Sequence, residues 1–150
     1  MARKPAADVP LLLGNQLCFA VYSAGHAFNR AYKPLLDRLG LTYPQYLVML
    51  VLWEKDEINV SEICTRLSLE TTTLTPLLKR LEARGLIQRV RSPRDERQVI
   101  VSLTAGGRAL RAKAQGLPGC VAQAMELSPD QIGALRTQLL GLRASLDRNA

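Results

Sequence analysis

A mainly α-helical protein with one small β-hairpin is what the sequence predicts, and three observations predict it. Apolar residues recur at spacings of three and four along residues 10–39 and again from Ile132 to Leu146, the signature of one-sided helices. Between them lie two short helical patterns, Val60–Leu67 and a stretch that begins near Ser68–Thr72 and runs to Arg84, the second stopped by Gly85. Residues 86–103 then alternate apolar and polar on either side of Ser92-Pro-Arg-Asp-Glu-Arg97, which is how a hairpin reads. Two short helices, a glycine stop and a charged hairpin in that order make a winged helix-turn-helix. The expected organisation is one domain over residues 1–150. Dimerisation helices at about 10–39 and 104–148 would flank a DNA-binding winged segment at about 43–104.

The first helix carries Leu13, Leu17, Ala20, Val21, Ala24, Phe28, Ala31, Leu35 and Leu39 on one stripe. Pro34 predicts a kink near Tyr32–Leu35, because proline removes a backbone donor, and Gly40 predicts the end. About thirty residues, or ~45 Å, is long for so small a chain, and a second copy is the simplest partner for its exposed stripe. Thr42-Tyr-Pro-Gln45 reads as a capping box with proline in the first turn. The helix it opens, Tyr43 to about Glu54, is apolar almost all round and reads as the central core helix. Lys55-Asp-Glu57 is a polar turn, and Asn59 with Glu62 is expected to form a second capping box.

The following helix buries Leu74, Leu77, Leu78 and Leu81 and shows Thr71, Thr72, Thr73, Thr75, Lys79 and Arg80 on its other face. Hydroxyls at the leading end with cations behind suit a helix whose N-terminus meets base edges while the rest grips phosphate. Thr71–Thr73 also read as capping residues, and the two roles are compatible. Arg94 and Arg97 fall at the hairpin tip, where Asp95 is placed to hold one of them, and a tip with two arginines suits a narrow minor groove. Thr104 opens a fifth helix toward Gln115, Gly116-Leu-Pro-Gly119 is expected to interrupt it, and Ser128-Pro-Asp-Gln131 caps a last helix. That helix carries Ile132, Leu135, Leu139, Leu142 and Leu146. The expectation is that both terminal regions pack as a helical dimer platform.

Charge points to the partner. The net charge is +7, and residues 70–115 hold ten Lys/Arg against four Asp/Glu, leaving the rest of the chain nearly balanced. A surface that tracks phosphate concentrates cations in this way, so double-stranded DNA is the expected partner. With 47% hydrophobic and 22% charged residues the composition is that of an ordinary globular protein. No stretch reaches the ~18 apolar residues of a membrane span. The apolar run Val9–Leu13 behind the basic Met1–Pro5 start is too short for a signal peptide, so a cytoplasmic location is expected. The three cysteines, Cys18, Cys64 and Cys120, are odd in number and far apart, which argues against a disulfide framework. With His26 the only histidine, no ordinary zinc site is expected, and neither is a cofactor. Cys18 and His26 lie two helical turns apart, about 12 Å of rise, too far for a catalytic pair. His26 therefore reads as a surface or interface residue.

The wing segment Asp95-x-Arg97 followed by Val101-x-Leu103-Thr104-x-x-Gly107 resembles the signature of MarR-type transcriptional regulators. Three stretches narrow the resemblance to the organic hydroperoxide resistance repressors (OhrR), two-cysteine type. They are Asn15-Gln-Leu-Cys-Phe-Ala20, Leu39 through Glu54, and Leu74-Thr-Pro-Leu-Leu-Lys-Arg-Leu-Glu82. The resemblance implies that Cys18 is the thiol oxidised by organic hydroperoxides. It implies that Cys120 is the resolving cysteine that forms a disulfide with Cys18 across a homodimer. Tyr22, Tyr32 and Tyr43 match the sensor-pocket tyrosines, with Tyr32 and Tyr43 reaching the cysteine from the other subunit. Thr71, Thr73 and Arg80 match major-groove positions, and Arg97, backed by Asp95, matches the minor-groove arginine.

The chain departs from that family where its recognition helix usually opens Asp-Ser-Gly-Thr. It has Glu70-Thr71-Thr72-Thr73 instead, so the resemblance does not carry an operator sequence over. Cys64 matches no family cysteine and reads as a small core residue. The sensing chemistry is consistent with the residues themselves. A reactive thiol must be reachable and partly ionised, phenols can donate to the anion, and Leu17, Phe19 and Val21 would favour alkyl or lipid hydroperoxides. The resulting expectation is a dimeric repressor that releases its operator on oxidation, not an enzyme. Two alternatives stand beside it: a MarR-type repressor released by a small phenolic ligand, and a thiol-dependent peroxidase using Cys18 and Cys120. The peroxidase leaves the basic wing without a purpose.

Overall fold

Gln16 decides where the first long helix begins. In the computed structural model, which describes residues 6–150, Gln16 is extended and its side-chain amide donates to the carbonyls of Pro10 (2.5 Å) and Leu12 (3.1 Å). Asn15 likewise donates to the Val9 carbonyl at 2.8 Å. Residues Ala6–Leu11 and Leu13–Asn15 are consequently two short 3-10 turns, and helix α1 is Leu17–Asp37. The single helix expected over residues 10–39 is thus shorter at its start. Pro10 withholds an amide, and local side-chain bonds replace helical ones. The basic Met1–Pro5 start lies outside the described residues.

Pro34 lies inside α1, and Gly40 ends it in a left-handed conformation with φ 64°. Leu41 N–H bonds the Leu36 carbonyl and Gly40 N–H the Asp37 carbonyl, the paired bonds of a glycine-closed helix end. Helix α2, Tyr43–Glu54, opens on the expected capping box: Gln45 N–H donates to Thr42 Oγ1, and the Gln45 side chain accepts from Thr42 N–H. It buries Tyr46, Val48, Met49, Val51 and Leu52, so it is the core helix.

Strand β1, Ile58–Asn59, was not anticipated; two residues are too few to show a period. Helix α3, Val60–Leu67, has the expected bounds, but only half of its capping box forms. Asn59 accepts from Glu62 N–H at 2.8 Å, while the Glu62 carboxylate pairs with Lys55 at 3.0 Å instead of reaching back. Helix α4, Thr71–Ala83, buries Leu74, Leu77, Leu78 and Leu81 and is closed by Gly85 with φ 70°. Strands β2, Ile87–Arg91, and β3, Val99–Leu103, form the hairpin, with Ile87 opposite Leu103 and Arg91 opposite Val99. Ile58 pairs with Val101, so the antiparallel sheet runs β1-β3-β2.

Helix α5, Ala105–Ala114, is capped by Thr104, which accepts from Gly107 N–H at 3.1 Å. Gly107 lies against the chain leaving α4: a Cβ there would fall 2.0 Å from the Leu86 carbonyl oxygen. Its own carbonyl accepts from Trp53 Nε1 at 2.9 Å, joining α2 to α5. The chain divides after Gln115, and Gly116–Ala150 is a second compact unit. There Gly116-Leu-Pro-Gly119 does not simply break a helix. Gly116 caps helix α6, Leu117–Ala124, whose first turn takes Pro118 because first-turn amides need no helical partner. Helix α7, Pro129–Arg148, opens on the expected Ser128–Gln131 capping box. None of its residues is buried, and Leu139 and Leu146 are 42% and 62% exposed. No helix among the described residues is long and apolar enough to cross a membrane.

Candidate functional site

The α4 helix presents two chemically different faces because its leucines recur at three and four. With those leucines inward, Thr71, Thr72, Thr73, Lys79 and Arg80 are exposed and Thr75 is half-buried. No side chain caps α4: Glu70 stands at the cap position without a bond, and Thr71–Thr73 leave their hydroxyls uncommitted to capping. Thr75 Oγ1 donates to the Thr71 carbonyl at 2.8 Å, and Thr71 Oγ1 lies 3.7 Å from Cys64 Sγ. Cys64 is half-buried on α3, not the fully enclosed core residue expected.

A groove of about 440 Å³ runs beside α4, lined by Ser61, Thr71, Thr75, Arg89 and Arg97 among others. Arg89 is held by Glu82 through Nε (3.1 Å) and Nη2 (2.7 Å). Those hydrogen bonds keep the Glu82 carboxyl below its ordinary range. At the hairpin tip Asp95 holds Arg97 differently from expectation. Its carboxylate accepts from the Arg97 backbone N–H at 3.1 Å, and no ion pair joins the two side chains among the described residues. The carboxylate therefore shapes the turn and leaves the Arg97 guanidinium to solvent. Arg94 is likewise exposed, its backbone N–H bonded to Ser92 Oγ at 3.3 Å. Hydroxyls of Ser61, Thr71 and Thr75 and the guanidinium groups of Arg89 and Arg97 thus line one groove, a surface chemically matched to a polyanion.

A second cluster is aromatic. Tyr32 on α1 packs against Tyr43 and Tyr46 of α2 at centroid distances of 4.9 and 5.8 Å, and Tyr46 reaches Trp53 at 6.4 Å. Burial first, then the neighbouring Tyr43 and Tyr46, push the Tyr32 phenol up to about 12, and burial raises Tyr43 and Tyr46 as well. All three therefore remain hydrogen-bond donors across the neutral range. Tyr22 stacks edge-on against His26 at 4.4 Å, and the two share a hollow of about 400 Å³ with Gly25, Phe28, Asn29 and Tyr43.

Cys18 is a free, exposed thiol in the first turn of α1, between Leu17 (65% exposed) and Phe19 (39%). Fourteen residues of helix, about 21 Å of rise, separate it from Tyr32. Within one chain Tyr32, Tyr43 and Tyr46 gather at one end of α1, and Cys18 lies toward the other, one turn before Tyr22. Cys120 is free and exposed on α6. Tyr46, a buried residue of the core helix, also joins the aromatic cluster of Tyr32 and Tyr43. Its place three residues after Tyr43, on the same helical face, was the available signal. The groove contributions of Ser61 and Arg89 had no local sign, since they depend on how α3 and the hairpin meet.

Known proteins similar to this chain are transcriptional regulators. Residues 30–113 match the model of the family described as transcriptional regulator SarA/Rot. The chain is 51% identical to the HTH-type transcriptional regulator TtmR of Methylorubrum extorquens, over 95% of this chain and 73% of that one. It is 44% identical to the organic hydroperoxide resistance transcriptional regulator of Bacillus subtilis, over 89% and 91% of the two chains. Among solved structures, reduced AbfR bound to DNA superposes with a TM-score of 0.77 at 35% identity, covering 89% of this chain and 94% of that one. Disulfide-formed AbfR superposes with a TM-score of 0.65 at 36% identity, covering 91% and 96%; AbfR is from Staphylococcus epidermidis.

Proposed function

The chain belongs to the SarA/Rot family of MarR-like winged-helix transcriptional regulators, and from that premise we propose a dimeric DNA-binding repressor that organic hydroperoxides switch off through Cys18. The carrying observation is an exposed thiol on an exposed apolar helix face, about 21 Å along the helix from Tyr32, one of the phenols that would bond it. That separation is bridged by a second subunit. Exposed α1 and α7 apolar faces supply the surfaces such a dimer would cover. Relatives support the disulfide as the switching step: one is named for organic hydroperoxide resistance, and AbfR is described bound to DNA both reduced and overoxidised, and separately in a disulfide form.

In this reading the Cys18 thiolate attacks a peroxide oxygen, the O–O bond breaks, and the alcohol leaves with the proton. Sulfur is oxidised to a sulfenic acid as the peroxide is reduced. The Cys120 thiol of the other subunit then attacks that sulfur, forming S–S and expelling water. The relatives are named as regulators, and the peroxide is a signal consumed once per switching event.

On DNA, Thr71, Thr72 and Thr73 face base edges in the major groove. Thr75, Lys79 and Arg80 support them, and Arg94 and Arg97 enter the minor groove from a turn shaped by Asp95. Two α4 helices must sit about 34 Å apart to enter successive major grooves, so a modest rotation of the winged units releases the duplex. The test is binding to a duplex enriched from a random-sequence pool by the reduced protein. Cumene hydroperoxide should abolish binding by wild type and spare Cys18→Ser. Undiminished binding by oxidised wild type would overturn the redox reading. The Tyr22–Tyr43 hollow favours one second reading, release by a small phenolic compound, which would act equally on Cys18→Ser.

A further inference from the structure

Arg84 closes α4 and reaches a point 44 residues away in the chain, the far end of α1. Its Nη1 donates to the Gly40 carbonyl, and its Nη2 donates to the Leu39 carbonyl at 3.1 Å. These carbonyls lie just past α1, at the negative pole of its dipole, where a cation is favoured. Gly40 suits the contact twice over. Its φ of 64° turns the chain, and a Cβ there would fall 2.7 Å from Arg84 Nη2. A planar, forked guanidinium on two successive carbonyls fixes direction as well as distance, which a lysine cannot do.

Nothing else recommends this residue. Arg84 lies outside the groove beside α4, and α4 is seated in the core by Leu74, Leu77, Leu78 and Leu81 without it. The end of α1 that it grips is the end that carries Tyr32, about two turns before Leu39. We propose that Arg84 is a positioning residue that ties the DNA-reading helix α4 to the tyrosine-bearing end of α1, so that displacement of α1 on oxidation reaches α4. The proposal rests on the reading of Cys18 as the sensor.

The decisive quantity is the ratio of duplex affinities before and after cumene hydroperoxide, measured by fluorescence anisotropy on the pool-enriched duplex, with disulfide formation followed on a nonreducing gel. Coupling between sites ordinarily spans about 5- to 150-fold. Wild type should lose affinity within or beyond that range. Arg84→Ala should form the same disulfide and keep its duplex within about threefold of its reduced affinity, and Arg84→Lys should fall between. An Arg84→Ala protein that melts lower yet loses the duplex by the wild-type factor overturns the proposal and leaves Arg84 a structural tie. If Arg84→Ala does not fold, Arg84→Lys with a wild-type ratio overturns it equally. A wild type indifferent to hydroperoxide overturns the sensor reading itself, and with it this one.

Discussion

At Tyr32 a half-buried phenol lies beside two others, and its ionisation moves from 10.0 up to about 12. The folded value lies above the unfolded one, so this contribution to stability is complete below pH 10 and is lost as the pH rises through about 12. Urea denaturation between pH 8 and 12 should show that alkaline decline, and Tyr32→Phe should remove part of it. An unchanged decline in the variant would refute the assignment. Burial displaces Tyr43 in the same direction, so both phenols stay protonated across the neutral range. Cys64, beside Thr71, shows how residue identity alone misleads: a lone cysteine on a short helix reads as core, yet its sulfur lies 3.7 Å from the hydroxyl of Thr71, the first residue of α4.

Between elements, tolerance depends on backbone approach. Gly107 lets α5 begin directly under the Leu86 carbonyl while its own carbonyl anchors Trp53. Gly107→Ala must drive apart the end of α4, β2 and α5. It should lower the melting temperature on the order of 10 °C or prevent folding. Gly106→Ala, whose Cβ would meet the Gly85 carbonyl at 3.3 Å, should cost much less. Comparable melting of the two proteins by circular dichroism would show that the approach is not what makes glycine necessary. Capping was readable at this scale. The Thr42 and Ser128 boxes form as written, while Asn59–Glu62 half-forms because Lys55 competes for the carboxylate.

For the whole molecule, the pairing of Cys18 with Cys120 is a statement about two chains. Oxidation by cumene hydroperoxide should give a covalent dimer on a nonreducing gel, and Cys120→Ser should abolish it while Cys64→Ser leaves it intact. A dimer that survives in Cys120→Ser and vanishes in Cys64→Ser would name Cys64 as the resolving thiol. The α1 and α7 stripes are consistent with that assembly. Leu17, Val21 and Phe28 on α1, and Leu135, Leu139 and Leu146 on α7, keep between 40% and 65% of their surface exposed.

By itself the sequence determined the order of helices and hairpin, the leucine face of α4 and the glycine stops. It also determined the charge surplus that falls on α4, the hairpin and α5. These are local matters, set by periodicity, caps and composition, and one stretch of chain suffices to express them. Only the tertiary structure decided the rest. The pairing of β1 with β3, Tyr46 against Tyr32 in the aromatic cluster and the Arg84 tie to Gly40 each depend on groups far apart in sequence. Such contacts form only when packing brings separate elements together, and no window along the chain contains both partners.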